Sequence, residues 1–133
     1  MLQKLNTKRG GFTLVEIMIV VAIIALLAAI AVPNFLRSRK RSQATMIVDD
    51  LRQIDSAIDQ YSIENNKKSG DSVAWADVQK YIKTGTRLYS SGNKDVLGNT
   101  FTITSADTTP KVATTSYDAL SDVAPADFWS PYR

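Results

Sequence analysis

From Ile17 to Val32 the chain carries sixteen apolar residues without a break. No side chain in that run can hydrogen-bond to water, and its composition is that of a membrane helix, whose backbone satisfies its own polar groups. One carboxylate, Glu16, stands at its mouth. Carrying such a charge to the centre of a bilayer costs roughly 2.5–3.5 kcal/mol, so Glu16 needs a partner. Ahead of it lie Gly10-Gly11-Phe12-Thr13-Leu14-Val15 and a short basic leader with Lys4, Lys8 and Arg9. The leader is short and has no apolar core of its own, so it is not an ordinary secretory signal. The apolar run lies after the glycine pair.

Gly11, Phe12, Thr13, Leu14, Glu16 and, further on, Pro33 stand out around the start and the end of the apolar run. This stretch resembles the N-terminus of type IV prepilins and of the related pseudopilins of type II secretion. The resemblance is firm over residues 8–35 and only architectural beyond the helix. It implies that a prepilin peptidase cuts between Gly11 and Phe12 and methylates the new amine of Phe12. It implies that Glu16 then pairs with the Phe12 amine of a neighbouring subunit while the helices, with Pro33 among them, pack into a filament.

The chain has 133 residues and a formal charge of +3. Losing Lys4, Lys8 and Arg9 with the leader takes that charge to zero. From Ser42 onward nine basic residues face twelve acidic ones, so the charge pattern argues against nucleic acid as a partner. There is no cysteine, which excludes a disulfide scaffold and thiol chemistry, and no histidine, which removes the commonest general base and metal ligand. The missing cysteines also depart from many type IV pilins, which close a C-terminal loop with a disulfide, and tilt the resemblance toward pseudopilins. No triad, phosphate loop, HExxH or CxxC is present, so the chain is not read as an enzyme.

Helical patterning extends from Phe12 to about Asn66. Pro33 interrupts it with a kink, since its ring crowds the preceding turn and it lacks an N–H; the plainer alternative is a helix that stops there. Beyond it Ala44, Ile47, Val48, Leu51, Ile54, Ile58 and Tyr61 alternate in threes and fours, an apolar stripe on a stem whose other faces carry Asp49, Asp50, Arg52, Asp55 and Asp59. A short helix is expected over Val73–Lys83, capped by Asp71 or Ser72, with Trp75, Val78, Tyr81 and Ile82 inward. Phe101–Thr104 and Lys111–Tyr117 alternate and read as strands, joined as a hairpin through Asp107-Thr108-Thr109-Pro110. Ser116–Arg133 reads as irregular, with Phe128, Trp129 and Tyr132 too apolar for a free tail.

The expected fold is therefore α+β: a long N-terminal helix, half transmembrane and half amphipathic stem, with a short helix and a small antiparallel sheet packed on it. Residues 1–11 form the leader, 12–36 the membrane and assembly helix, and 37–133 a soluble pilin-like domain. Asp95-Val96-Leu97-Gly98-Asn99-Thr100-Phe101 looks like a turn of major pseudopilins, in which Gly and Asn accept positive φ and the aromatic anchors the strand after the turn. By the same resemblance Asp118, Asp122 and Asp127 are candidate calcium ligands, although their spacing matches no closed calcium loop and a solvated acidic loop explains them as well. Arg37, Arg39, Lys40 and Arg41 are suited to anionic lipid headgroups or to a neighbour's acidic stem; the plainer reading is a solvated helix face.

The resemblance implies a structural role: a subunit held in the inner membrane by a single pass, leader in the cytoplasm and soluble domain in the periplasm, which polymerises with copies of itself into a periplasmic or extracellular filament. A prepilin peptidase, an assembly ATPase and a platform membrane protein would serve it. The first reading is a major pseudopilin-like protein of a type II secretion-type system. A surface type IV pilin is the second. A monomeric membrane-tethered binding domain is the third, with Trp75, Tyr81, Phe128 and Trp129 as its aromatic groove.

Overall fold

Helix α1 runs from Leu14 to Glu64, 51 residues, in a computed structural model that describes residues 10–133. Lys4, Lys8, Arg9 and the rest of the leader before Gly10 lie outside the described residues. The chain divides into two compact units between Leu36 and Arg37. In the first, α1 is apolar on every face and long enough to cross a membrane; Val21, Ile24 and Leu27 all lie open. A helix of that kind has no face for water. It continues through Pro33 rather than ending there.

In the second unit, Arg37–Arg133, α1 buries one face. Ala44, Ile47, Leu51 and Ile54 are fully enclosed and Ile58 nearly so, which is the three-four spacing of the stripe. Asp50, expected on a wet face, is buried as well, because the Arg87 guanidinium reaches it and neutralises it. Short helical segments and connecting loops wrap this stem. Helix α2 spans Trp75–Val78 and passes into a 3-10 turn, Gln79–Tyr81. Its start lies later than expected: Asp77, not Asp71 or Ser72, accepts the Ala74 N–H at 3.2 Å. Asp71 instead accepts the Lys68 N–H at 2.8 Å and shapes the preceding turn. Helix α3 spans Arg87–Ser91, capped by the Thr86 hydroxyl and closed at Gly92, whose φ of +67° suits a residue without Cβ.

The expected antiparallel sheet does not form among the described residues. Three isolated antiparallel bridges stand in its place: Ser72 with Ser105, Lys94 with Thr100, and Thr102 with Lys111. Local chemistry explains why the ladder stops at single rungs. Thr102 and Lys111 exchange both backbone bonds, at 3.0 and 2.9 Å. Toward the turn the Thr108 hydroxyl accepts the Ser105 N–H and donates to the Ser105 carbonyl, drawing that backbone into a turn of its own, and Pro110 has no N–H to give.

The second expected strand, Lys111–Tyr117, is overturned too. From Thr114 the chain is helix α4, Thr114–Leu120. Within it Ser116 and Leu120 are buried four residues apart, which is helical spacing hidden beneath a superficial alternation. The last segment is not irregular either. A 3-10 turn, Ala126–Trp129, seats Trp129 wholly inside. The Trp129 indole donates to the Ala124 carbonyl at 3.1 Å, and Phe128 packs edge-on against it. The Val112 N–H donates to the Tyr132 carbonyl at 2.8 Å, so the chain end is tied to the core.

Candidate functional site

Gly11, Phe12 and Thr13 lie outside regular structure, immediately before α1. Phe12 is 86% exposed. A Cβ added at Gly11 would meet nothing within 4 Å. The isolated chain therefore has no steric need for glycine there, and the Gly11–Phe12 peptide stands open to another protein.

Thr13 and Glu16 are joined by two reciprocal hydrogen bonds. The Thr13 N–H donates to the Glu16 carboxylate at 3.1 Å, and the Glu16 N–H donates to the Thr13 hydroxyl at 3.3 Å. This is a capping box, which satisfies two of the helix's orphan donors. The carboxylate also sits at the positive end of the helix dipole. Thr13 is the residue whose part in the site sequence reasoning missed. Its signal, Thr13-Leu14-Val15-Glu16 before an apolar run, is legible, but the charge of Glu16 alone does not point to it. Pro33 lies within α1, exposed and distant in sequence from this cap.

Asp118, Asp122 and Asp127 are not drawn together. Asp122 is exposed, Asp118 lies on α4 and Asp127 in the terminal 3-10 turn. Asp122 accepts from the Lys40 ammonium at 2.9 Å. That bond holds its carboxyl below the usual carboxylate range, with the nearby charge of Arg37 acting in the same direction. No three acidic side chains come together in a group that could hold a metal ion among the described residues. These aspartates thus do not fit as a calcium donor set: one is spent on a lysine, and hard cations want several oxygens converging.

The Asp95–Phe101 turn is built around a buried carboxylate. Asp95 accepts from the Leu97 and Asn99 N–H groups at 2.8 and 2.9 Å and from the Ser116 hydroxyl. Gly98 carries the positive φ, +87°. Asn99 does not share it, contrary to expectation; its amide donates to the Ser116 hydroxyl at 2.8 Å instead. Phe101 is buried behind the turn. Trp75, Tyr81 and Phe128 are partly buried against the core and Trp129 is part of it, so these aromatics pack rather than line an open groove.

The model of the prokaryotic N-terminal methylation motif matches residues 6–32. The chain is 38% identical over 97 residues to the type IV wide pilus major component PilA4 of Thermus thermophilus, an alignment covering 72% of this chain and 64% of that protein. It is 37% identical over 60 residues to the type II secretion system core protein G of Pectobacterium carotovorum, covering 45% of this chain and 38% of that protein. It is 33% identical over 101 residues to the core protein G of Vibrio cholerae, covering 71% of this chain and 69% of that one. The chain thus spans from about two fifths to about two thirds of the length of these relatives. No solved structure matches it. With the methylation motif set on an open Gly11–Phe12 peptide ahead of a long apolar helix, and with similarity that continues well past that helix, the chain belongs to the family of type IV pilins and type II secretion pseudopilins.

Proposed function

We propose that this protein is a structural filament subunit, processed after Gly11, N-methylated at Phe12, and assembled through its apolar helix as a major pseudopilin-like component of a type II secretion-type system. The observation that carries the reading is the similarity to core protein G over 71% of the chain, which extends beyond the apolar segment into the second unit. The family is one of structural subunits, not enzymes. The subunit waits in the inner membrane with its leader on the cytoplasmic side. A peptidase removes the leader, and an assembly ATPase and a platform membrane protein drive copies of the chain into a helical polymer. Identical surfaces meeting head to tail give an open filament when the rotation does not close. Glu16 exchanges part of its cap for the Phe12 amine of a neighbour in that polymer.

A surface pilus is the second reading, favoured by the 38% identity to a wide-pilus major component. Filaments sheared from cells without detergent and analysed by intact mass test both. The expected subunit begins at Phe12 and is heavier by one methyl group. Fibres that remain between the membranes favour the secretion reading, and fibres released from the cell surface favour the pilus. A chain that retains Met1, or that never leaves the membrane fraction as polymer, overturns the filament reading altogether.

A further inference from the structure

The second unit has a cationic pocket at the very start of its part of α1. Its volume is about 390 Å³, and it is lined by Arg37, Ser38, Arg41, Asp122 and Val123. Arg37 and Arg41 are one helical turn apart, so both guanidinium groups rise from the same face. Like charges so placed repel, and an anion between them relieves the repulsion. The single carboxylate in the wall, Asp122, is already engaged by Lys40 at 2.9 Å. No acidic side chain pairs with Arg37, Arg39 or Arg41 among the described residues. Two unpaired guanidinium groups and a neutralised lysine–aspartate pair leave the pocket positive.

We propose that this pocket binds the headgroup of an anionic phospholipid, one per chain, with Arg37 and Arg41 on its phosphate and Ser38 beside them. The inference rests on reading α1 up to Leu36 as the membrane anchor. On that reading Arg37, which follows Leu36 directly, falls at the depth of the headgroup phosphates. A guanidinium meets a phosphate through two parallel hydrogen bonds, which a solvated lysine does not offer. A phosphatidylglycerol-type lipid brings a net negative charge, whereas a zwitterionic lipid offsets its own phosphate with an amine. The pairing also gives a reason for four cations beyond the membrane segment, on the side that the positive-inside tendency disfavours.

The test uses the full chain reconstituted into bilayers of equal phosphatidylglycerol and phosphatidylcholine, then released in a neutral detergent for native mass spectrometry. The expected result is one phosphatidylglycerol retained per chain. Arg37→Gln and Arg41→Gln should each lower retention about fivefold, the share of one basic side chain near an anionic surface, while Arg39→Gln, which lies outside the pocket, leaves it unchanged. Unaltered tryptophan fluorescence in each variant certifies the fold. Equal losses in all three variants would mean diffuse charge attraction and would overturn the pocket. Full displacement by inorganic phosphate would overturn the lipid and leave a free-phosphate site. Flotation in neutral vesicles separates the two readings: a chain that floats but shows no lipid preference refutes the pocket alone, and a chain that does not float refutes the anchor and the pocket with it.

Discussion

In the isolated chain the Glu16 carboxylate holds the Thr13 N–H; in the proposed polymer the Phe12 amine of a neighbour would compete for the same oxygens. The two roles separate by chemistry. A capping box accepts Gln in place of Glu, because an amide oxygen serves the N–H as a carboxylate does. An ion pair does not. Glu16→Gln should therefore keep the cap, membrane insertion and leader removal, yet lose most of its filaments, read as polymer sheared from cells. Wild-type filament levels in Glu16→Gln would show that capping is the whole of its task. Half of this site was visible in the residue types. The carboxylate beside an apolar run announced a need for a partner; which partner it has in the monomer needed the backbone to turn at Thr13.

The short elements around the stem are tied by side chains more than by ladders. Asp107 is the clearest case. It accepts from the Ser69 hydroxyl at 2.5 Å, the Gly70 N–H at 3.0 Å and the Ser105 hydroxyl at 2.9 Å, joining two loops. Those bonds, the Ser69 one foremost, lower its carboxyl from 3.8 to about 2. A carboxyl depressed in the folded state contributes stability above its unfolded value and loses it as pH falls through the folded one. The loss belongs between about pH 4 and pH 2. Asp107→Asn should flatten the acid limb of a urea-midpoint profile in that window and leave the profile above pH 5 parallel to the wild type. An unchanged acid limb would mean that the loop junction does not depend on the charge. The same element scale is where strand expectations failed. Phe101–Thr104 does alternate, but Ser, Thr and Asp side chains bond their own backbone so readily that a period of two did not become a sheet.

Across the second unit as a whole, Arg37–Arg133, the chain end closes the core on the stem. Trp129 is fully enclosed, Tyr132 nearly so, and the Tyr132 hydroxyl approaches Asp55 at 3.5 Å. Burial pushes the Asp55 carboxyl up, its neighbour Asp59 adds to the shift, and the Tyr132 hydroxyl opposes both. Removing the indole leaves a cavity that a small core cannot refill, at a cost of about 3–5 kcal/mol. Against a typical total stability of about 5–15 kcal/mol that is a large share. Trp129→Phe, which keeps a ring but loses the bond to the Ala124 carbonyl, should cost less than Trp129→Ala in urea unfolding of the full chain in mild detergent. A chelator should leave the wild-type midpoint where it is, because Lys40 and the aromatics hold this region and the aspartates do not converge. A midpoint that falls on chelation and returns with calcium would reverse that assignment.

The unbroken apolar run, the glycine–phenylalanine step and the stripe from Ala44 to Ile58 determined by themselves that this chain has a membrane-type helix, a processing signal and a buried stem. Each of those depends on residues close in sequence, within one helix period or one tight turn. The rest of the fold depended on residues far apart meeting in space. Asp50 is buried because Arg87 arrives, Asp122 is spent because Lys40 lies beside it, and Asn99 keeps an ordinary backbone because Ser116 takes its amide. The later part of the expected strand, from Thr114 on, became helix instead, with Ser116 and Leu120 buried on one face of it. Local pattern specifies which conformations a segment can adopt; burial and charge pairing across the fold select among them, and that selection exists only once the chain is assembled.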